Sequence, residues 1–251
     1  MHTRWFLPAL AVLCLTTVGC RSIQDRADPP DSDLTAELQA PTESSPAAVE
    51  LSDMSSLAPG DYTFTLRHDW RSRSYIVHVP PRPTIPAPII MALHGGGGTG
   101  EQFQEENGLD AVADREGFVV IYPEGTGILP NRLHTWNSGE TCCGFAFDRQ
   151  IDDVGFLRAL LSDLHQRTPI DDGRVYLTGH SNGAMMAYRF AVEASELVTA
   201  VVAVGGAADL SDPVPSQPIP LLHIHSADDP RALYEGGEGP PFPGTNRTVH
   251  H

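Results

Sequence analysis

The apolar and polar positions of this chain change period several times from residue 61 onward. Residues 61–66 and 74–79 alternate apolar and polar side chains, which predicts two strands, and the polar, turn-like stretch between them predicts an antiparallel hairpin. Short continuous apolar runs follow. Such runs are typical of strands that are buried on both faces, and they occupy residues 87–93, 118–122, 174–178, 198–204 and 220–224.

Helical patterns lie between these runs, at residues 101–116, 151–166 and 182–193. The second of them places Val154, Leu157 and Leu161 on one face, as an amphipathic helix requires. Because strands and helices alternate along the chain, the sequence predicts an α/β domain whose sheet is mostly parallel and doubly wound, with the antiparallel hairpin at its N-terminal end.

The first twenty residues resemble a bacterial export signal. The apolar run at residues 5–18 is too short to span a bilayer as a mature helix, and it ends at Cys20 in a sequence similar to a lipobox, with Thr17 where Leu is usual. We expect a signal peptide at residues 1–19 and a lipid on Cys20. The alternative is a plain signal peptide that is cut nearby. Either reading predicts an exported protein of the cell envelope or extracellular space, and a lipid would be its one membrane contact.

The composition divides the rest of the chain in two. Residues 20–57 are rich in Pro, Ser, Asp and Glu, so they cannot bury enough apolar area to offset the entropy of ordering, and we expect a lipidated disordered linker. Residues 58–251 are long enough for one catalytic domain with its own core, which we expect to be a monomer.

The charged residues exclude several functions. The formal net charge is −16, and all 16 basic residues are Arg. The lack of Lys excludes Schiff-base chemistry and a P-loop lysine, and the acidic balance disfavours nucleic acid as a partner. No His or Cys spacing typical of a zinc site is present, so we expect neither a metal nor an organic cofactor.

The sharpest motif is GHSNG at residues 179–183, which fits the G-x-S-x-G pattern. A predicted strand precedes it and a predicted helix follows it, which is the context of a nucleophile elbow. The two glycines allow close approach of neighbouring backbone, so that the hydroxyl of Ser181 stands above the sheet at a helix N-terminus. The motif predicts Ser181 as a catalytic nucleophile.

A glycine-rich loop, HGGGGTG at residues 94–100, follows the predicted strand at residues 87–93. We assign oxyanion-hole donors to the backbone N–H of Gly96 and to that of Asn182, the residue after the nucleophile. A flexible glycine linker or a phosphate cradle is the alternative for this loop. His94 is expected to organise the loop rather than to catalyse.

The acid of a Ser-Asp-His triad should follow a strand later than the serine. Residues 220–224 are such a strand, and the turn after it carries Asp228 and Asp229. We choose Asp229 as the catalytic acid and keep Asp228 as the alternative.

These segments together resemble the polyhydroxybutyrate depolymerase and feruloyl-esterase-like branch of the α/β-hydrolases. The resemblance rests on LHGGGGTG at 93–100, TWNSGETCCGFAF at 135–147, IDDVGFL at 151–157, GHSNGAMM at 179–186 and HSADDPRALYEGG at 225–237. It implies an α/β-hydrolase fold. It also implies a secreted serine carboxylic ester hydrolase that cleaves a polyester, feruloyl or acyl ester through an acyl-enzyme. The family pattern H-G-T-x-D-x-x-V-P-Y-x-G-G matches Tyr234 and thereby favours Asp229, although Ser226 and Ala227 replace its Gly and Thr.

The resemblance also implies a catalytic histidine in a later G-G-H-x-W-P-like motif, which this sequence lacks. After Asp229 the chain has only His250 and His251, in a segment rich in Gly and Pro. We therefore expect the C-terminal strand and helix of the domain to be missing from this chain. A disulfide partner for Cys142 or Cys143 is expected in that same part, since similar proteins carry a further cysteine downstream.

Two other functions stay open from the sequence: a peptidase on the same fold, and a non-catalytic envelope lipoprotein that binds an acyl or carbohydrate ligand. Trp136, Tyr234 and Phe242 are candidates for lining a substrate pocket, with packing as the alternative for each.

Overall fold

A computed structural model describes residues 56–129, 132–142, 144–208 and 214–240. Seven strands form one sheet in the order β1-β2-β4-β3-β5-β6-β7. β1, β2 and β4 pair antiparallel, and every pair from β4 to β7 is parallel. The strands are β1 (Gly60–His68), β2 (Arg71–Val79), β3 (Ala87–Leu93), β4 (Val119–Pro123), β5 (Ile170–His180), β6 (Ala200–Val204) and β7 (Leu221–Ile224).

The α-helices lie between the strands as the sequence predicts, with one correction. They are α1 (Gly100–Asn107), α2 (Leu109–Glu116), α3 (Phe145–Asp148), α4 (Asp153–His165) and α5 (Asn182–Glu193), and two short 3₁₀ turns occur at Gly139–Thr141 and Ser195–Leu197. The predicted helix at residues 101–116 is wrong as a single element, because Gly108 adopts a left-handed conformation with φ 71° and ends α1 before α2 begins.

Helices cover both faces of the sheet. On one face, Phe156 and Leu160 of α4 and Phe190 of α5 pack in a core with Ile89 and Ile121 of the central strands. On the other face, a smaller cluster joins residues of β3 and β4 to α1 and α2. This three-layer arrangement follows from the continuous apolar runs of the central strands, which must be covered on both sides.

β7 departs from the prediction that every apolar run is buried on both faces. It is the last strand of the described sheet, and all four of its residues are exposed, including Leu221 at 48%, Leu222 at 56% and Ile224 at 49%. An edge strand has a neighbour on one side only, so apolar composition alone does not bury it.

The strand order places the candidate catalytic residues at the carboxyl ends of the central parallel strands. β3 lies between β4 and β5, so the chain leaves β3 in one direction and returns to β5 on the other side. Loops that follow the carboxyl ends of parallel strands at such a switch point form a crevice, and the glycine loop and GHSNG follow β3 and β5 respectively. Among the described residues, no helix is both long and apolar enough to cross a membrane.

Candidate active site

Ser181 lies at the sharp turn between β5 and α5. Its φ of 54° and ψ of −122° are outside the regions that L-residues favour, at a cost of about 1–3 kcal/mol. The surrounding structure holds this conformation, since the Ser181 N–H donates to Val204 O at 2.8 Å and the Ser181 carbonyl accepts from Met185 N at 3.0 Å. The turn sets Ser181 immediately before the first residue of α5, where the helix dipole favours negative charge.

The glycines of this turn are sterically required. A methyl group on Gly179 would overlap the backbone of Gly183, and one on Gly183 would overlap the carbonyl oxygens of Leu93 and His94. A methyl group on Gly206 would lie 2.7 Å from Ser181 O. The elbow therefore packs directly on the end of β3 and on the loop after β6, with no room for a β-carbon.

The glycine loop lies next to the serine. A β-carbon built on Gly95 would be 3.6 Å from Ser181 Cβ. The N–H of Gly97 donates to His134 O at 2.7 Å, and the N–H of Gly98 donates to Gly95 O at 3.1 Å. Within the part of the chain that the structure describes, no hydrogen bond is found for the Gly96 N–H, which is the donor that the sequence assigned to the oxyanion hole.

His94 holds this loop from within. Its side chain is buried, its Nε2 accepts from Gly125 N at 3.0 Å, and its Nδ1 therefore carries the proton and donates to Gly95 O at 2.8 Å. Trp136 packs against the imidazole with ring centroids 5.0 Å apart, and its indole N–H donates to His94 O at 2.9 Å. Trp136 is completely buried, so it belongs to the core and does not line a pocket.

Glu124 and His134 form a second clamp under the loop. Glu124 Oε1 lies 2.5 Å from His134 Nδ1, and Glu124 Oε2 accepts from Gly100 N at 3.1 Å. Burial by itself raises the pKa of Glu124, but the hydrogen bond with His134 outweighs it and holds this pKa at about 2. For His134 the burial effect lowers the pKa and the bond to Glu124 raises it, with a net increase. Both groups are therefore charged near pH 6.

Asn182, the other predicted oxyanion donor, begins α5, and its side chain is buried. Its Oδ1 accepts from Trp136 N at 2.7 Å, and its Nδ2 donates to Trp136 O at 3.1 Å and Ser138 Oγ at 3.3 Å. The side chain thus ties the elbow to the segment at residues 135–138, so its contribution to an oxyanion site would come from the backbone N–H.

A buried ion pair that the sequence did not reveal supports this segment. Arg73 of β2 donates to Asp153 Oδ1 at 2.7 Å, and Asp153 Oδ2 accepts from Asn137 N at 2.7 Å. Both charged side chains are almost inaccessible to solvent, and the guanidinium stacks 3.8 Å over the Phe156 ring. Residues 73 and 153 are 80 positions apart, so only the pattern of an acid inside an apolar helix could have hinted at this contact.

The resulting cleft has a volume of about 410 Å³ and contains Ser181 and His180 beside the glycine loop. Its far wall comes from α1 and its neighbours, and these side chains are mostly polar: Thr99, Gln102, Phe103, Glu106 and Asn107. In the described part of the chain, no imidazole is hydrogen-bonded to the Ser181 hydroxyl. His250 and His251 lie outside the described residues, as do Cys20, Cys143 and Phe242.

Asp229 lies in the turn after β7, at the same carboxyl edge of the sheet as Ser181. Its Oδ1 accepts from Arg231 N at 2.8 Å and Ala232 N at 3.0 Å, and its Oδ2 lies 3.3 Å from His225 Nε2. Asp228, the alternative, is exposed and accepts from the Ser226 hydroxyl at 2.5 Å. The half-buried position and fixed carboxylate of Asp229 suit a catalytic acid better, although no described contact joins Asp229 to Ser181.

Among the described residues, one group of side chains is close enough together to hold a metal ion, and none of its members lines the cleft. Asp61, His78 and Asp110 approach one another on the hairpin and α2, and the site is partly exposed. These groups already have hydrogen-bond partners: His78 Nδ1 lies 2.7 Å from Asp61 Oδ1, and Asp110 accepts from Tyr122 Oη at 2.6 Å. Burial lowers the pKa of His78, yet the bonds to Asp61 and Asp114 raise it overall, as expected for an ion-paired imidazolium.

Comparison with known proteins gives relatives that are named as esterases. NocK of Nocardia uniformis, which is named as an esterase, is 33% identical over 91% of this chain and 64% of its own length. Feruloyl esterase B of Neurospora crassa is 32% identical over 52% of this chain and 43% of its own. This chain thus spans less than two thirds of either protein. A solved structure of a pOPH complex with pNPB superposes with a TM-score of 0.57 at 12% identity, over 80% of this chain and 73% of that one, which supports the fold alone.

The strand order, the antiparallel hairpin and the serine elbow after β5 together make this an α/β-hydrolase fold, as the sequence predicted. The sequence model of the family described as "Esterase PHB depolymerase" matches residues 73–235, a span that contains both the glycine loop and the elbow. Because this match covers more than half of the chain, the protein belongs to the Esterase PHB depolymerase family.

Proposed function

We propose that this protein is a serine carboxylic ester hydrolase that acts through an acyl-enzyme. The observation that carries the proposal is the strained backbone of Ser181 at the N-terminus of α5, next to a glycine loop whose Gly96 N–H has no hydrogen bond in the described structure. A strained nucleophile elbow beside free backbone donors is the arrangement that acyl transfer requires. Membership of an esterase family supports the same chemistry.

In the proposed mechanism, the Ser181 hydroxyl attacks the ester carbonyl carbon and loses its proton to a histidine base, for which this chain offers His250 and His251 after Asp229. The N–H groups of Gly96 and Asn182 donate to the oxygen that becomes negative, and Asp229 orients the base. The tetrahedral intermediate expels the alcohol, which takes the proton, and water then releases the acid from the serine by the same route. A polyester, feruloyl or acyl ester fits this chemistry equally.

The test is hydrolysis of p-nitrophenyl butyrate by the whole chain beside its Ser181→Ala variant. We expect turnover above background that the substitution abolishes, because removal of a nucleophile leaves only binding and oxyanion contributions. Ser162→Ala is the matched control, since Ser162 is exposed on α4 outside the cleft. Equal turnover by the intact chain and Ser181→Ala would contradict the proposal.

The same assay separates ester from amide chemistry. We expect p-nitrophenyl butyrate to be cleaved much faster than the corresponding p-nitroanilide. Preferential amide turnover would favour a peptidase, and saturable binding of the ester without turnover by the intact chain would favour a binding protein.

We also propose that the protein is exported and lipidated at Cys20. The support is the apolar run and lipobox-like sequence at residues 5–20, which lie outside the described structure. Expression in a bacterium should give a membrane-associated chain whose mature N-terminus is a diacylglyceryl-modified Cys20, measured by intact mass. A Cys20→Ser chain that keeps the same mass gain would overturn this proposal.

A further inference from the structure

A line of polar contacts runs from the nucleophile helix to the turn that carries Asp229. Tyr188 of α5 has its Oη 2.5 Å from Nδ1 of His223 on β7. Nε2 of His223 lies 3.0 Å from Nδ1 of His225, and Nε2 of His225 lies 2.6 Å from Ala232 O and 3.3 Å from Asp229 Oδ2. His223 and His225 are two positions apart on an extended segment, which brings both rings to the same side.

The direction of these hydrogen bonds follows from the last contact, between His225 Nε2 and Ala232 O. A carbonyl oxygen can only accept, so His225 Nε2 must carry a proton that it donates to Ala232 O. In a neutral imidazole the other nitrogen then accepts, so His225 Nδ1 receives a hydrogen bond from His223 Nε2–H. By the same reasoning His223 Nδ1 accepts from the Tyr188 phenol. One arrangement of protons thus satisfies each hydrogen bond from Tyr188 to Ala232 O.

The charge states of the first two groups agree with this arrangement. Burial raises the pKa of Tyr188 to about 12, so the phenol keeps the proton that it donates. Burial, and then the charge that His225 would carry, lower the pKa of His223, so its ring is neutral at neutral pH. The two imidazoles stack with centroids 5.0 Å apart, which disfavours charge on both.

The line ends at the turn that holds the proposed acid. The backbone N–H groups of Arg231 and Ala232 fix Asp229 Oδ1, whereas His225 Nε2–H stands next to Oδ2. The side chain of His225 is 1% exposed and that of Asp229 is 20% exposed. The buried imidazole therefore covers one side of the carboxylate, and the other side of the carboxylate stays accessible to solvent.

We propose that His225 is a positioning residue for Asp229, held in its Nε2–H tautomer by Tyr188 and His223. The inference rests on the proposed ester hydrolase function, because it assigns to Asp229 the role of orienting the base. His225 Nε2–H donates to Ala232 O, and the N–H of Ala232 donates to Asp229 Oδ1, so the imidazole fixes the turn that orients the carboxylate, as a triad acid requires. The three side chains thereby connect the helix that begins at the nucleophile to the acid.

The hydrogen-bond line is tested without any assay of activity. Long-range ¹H–¹⁵N correlation spectra of the ¹⁵N-histidine-labelled whole chain at pH 8 report which ring nitrogen is protonated, and His223→Gln and His225→Gln chains assign the signals. We expect both rings as Nε2–H tautomers, and we expect Tyr188→Phe to alter the His223 signals most. An Nδ1–H tautomer at His225 would overturn the proposal.

The positioning role is tested by a pair of substitutions on p-nitrophenyl butyrate. His225→Leu removes the donor and should lower kcat about 10- to 100-fold with KM nearly unchanged, as expected for loss of a hydrogen bond near a charged group. His225→Gln retains an N–H donor and should recover most of this loss. His165→Gln, on the distal end of α4, is the control that should keep full kcat. Thermal unfolding of each variant checks that the fold is retained.

The outcomes separate this inference from the function on which it rests. Turnover that depends on Ser181 but is equal in His225→Leu and the intact chain overturns the positioning role alone, and so does an equal loss in His225→Gln and His225→Leu. No Ser181-dependent turnover by the intact chain overturns the proposed function and the positioning role together, whereas the tautomers still decide whether the hydrogen-bond line exists.

Discussion

The nucleophile and the proposed acid lie on parts of the sheet that are held in different ways. The nucleophile side, defined as β3, β5, α5 and the glycine loop, is fixed by backbone contacts too close for a single methyl group and by buried side chains such as Leu177. The acid side, defined as β7 and residues 225–237, has an exposed edge strand and is fixed by side-chain hydrogen bonds around His225 and Asp229.

This difference indicates which substitutions the nucleophile side and the acid side can each tolerate. Close packing fails abruptly when an atom is added, because neighbouring backbone has nowhere to move. A hydrogen-bonded turn at an exposed edge loses order in smaller steps, and its stability depends on the protonation of His223. We therefore expect the two sides to differ in their response to added atoms, to deleted atoms and to pH.

The largest expected effect comes from adding one methyl group. Gly183→Ala should cost about 3 kcal/mol or more in the free energy of unfolding and abolish any Ser181-dependent turnover, because its β-carbon overlaps backbone oxygens at the end of β3. Gly237→Ala is the matched change on the acid side. It meets no atom within 4 Å and should cost only about 1–2 kcal/mol from its positive φ of 101°. Urea unfolding measures the loss of stability in both variants. Equal losses would contradict the expected difference between the two sides.

Deleting apolar atoms should give the next largest difference. Leu177 of β5 is 1% exposed, and Leu177→Ala should destabilise the fold by about 2–5 kcal/mol. Leu222 of β7 is 56% exposed, and Leu222→Ala should cost less than about 1 kcal/mol. Urea midpoints at unchanged m-values measure both costs. A cost at Leu222 that matches the one at Leu177 would mean that β7 is covered in solution.

The smallest expected effect is a difference in pH response. The lowered pKa of His223 means that its stabilising contribution is present above pH 6.5 and is lost as the pH falls through the folded value. The pKa of Glu124, held at about 2, gives a contribution that is present above pH 4.5 and is lost only as the pH falls toward 2.

Amide hydrogen exchange measured at decreasing pH, from 7 to 4.5, and corrected for the intrinsic exchange rate, checks this order. As the pH falls, we expect the opening of β7 to become faster before the opening of the glycine loop changes. Glu124→Gln should remove the later loss, between pH 4.5 and pH 2, and leave the earlier one in place. Opening of the glycine loop first would contradict this order.

Several features of the fold could be predicted from local sequence. The hairpin, the central strands and the helix that begins at Asn182 follow from hydrophobic period, and the GHSNG motif located the elbow because its glycines are demanded by the turn itself. The break at Gly108 was missed, although a glycine inside a helical pattern is a known signal for it. The catalytic roles of Ser181, Gly96, Asn182 and Asp229 stay predictions that the proposed assays test.

Other features depended on residues far apart in the chain. The Arg73–Asp153 pair and the line from Tyr188 to Asp229 have no signature in spacing, because each forms only when separate strands and helices come together. The apolar composition of β7 predicted burial, and its place at the edge of the sheet decided against it.

The sequence by itself determined the order of strands and helices, the position of the elbow and the glycine loop, and the class of chemistry that they favour. These depend on backbone geometry within a few residues, which glycine, chain period and turn residues specify directly. The tertiary structure alone decided which face of each element is covered, which charges are buried in pairs and which hydrogen-bond partners each buried histidine has. Those properties depend on desolvation and on hydrogen-bond partners, which exist only after distant segments have packed together.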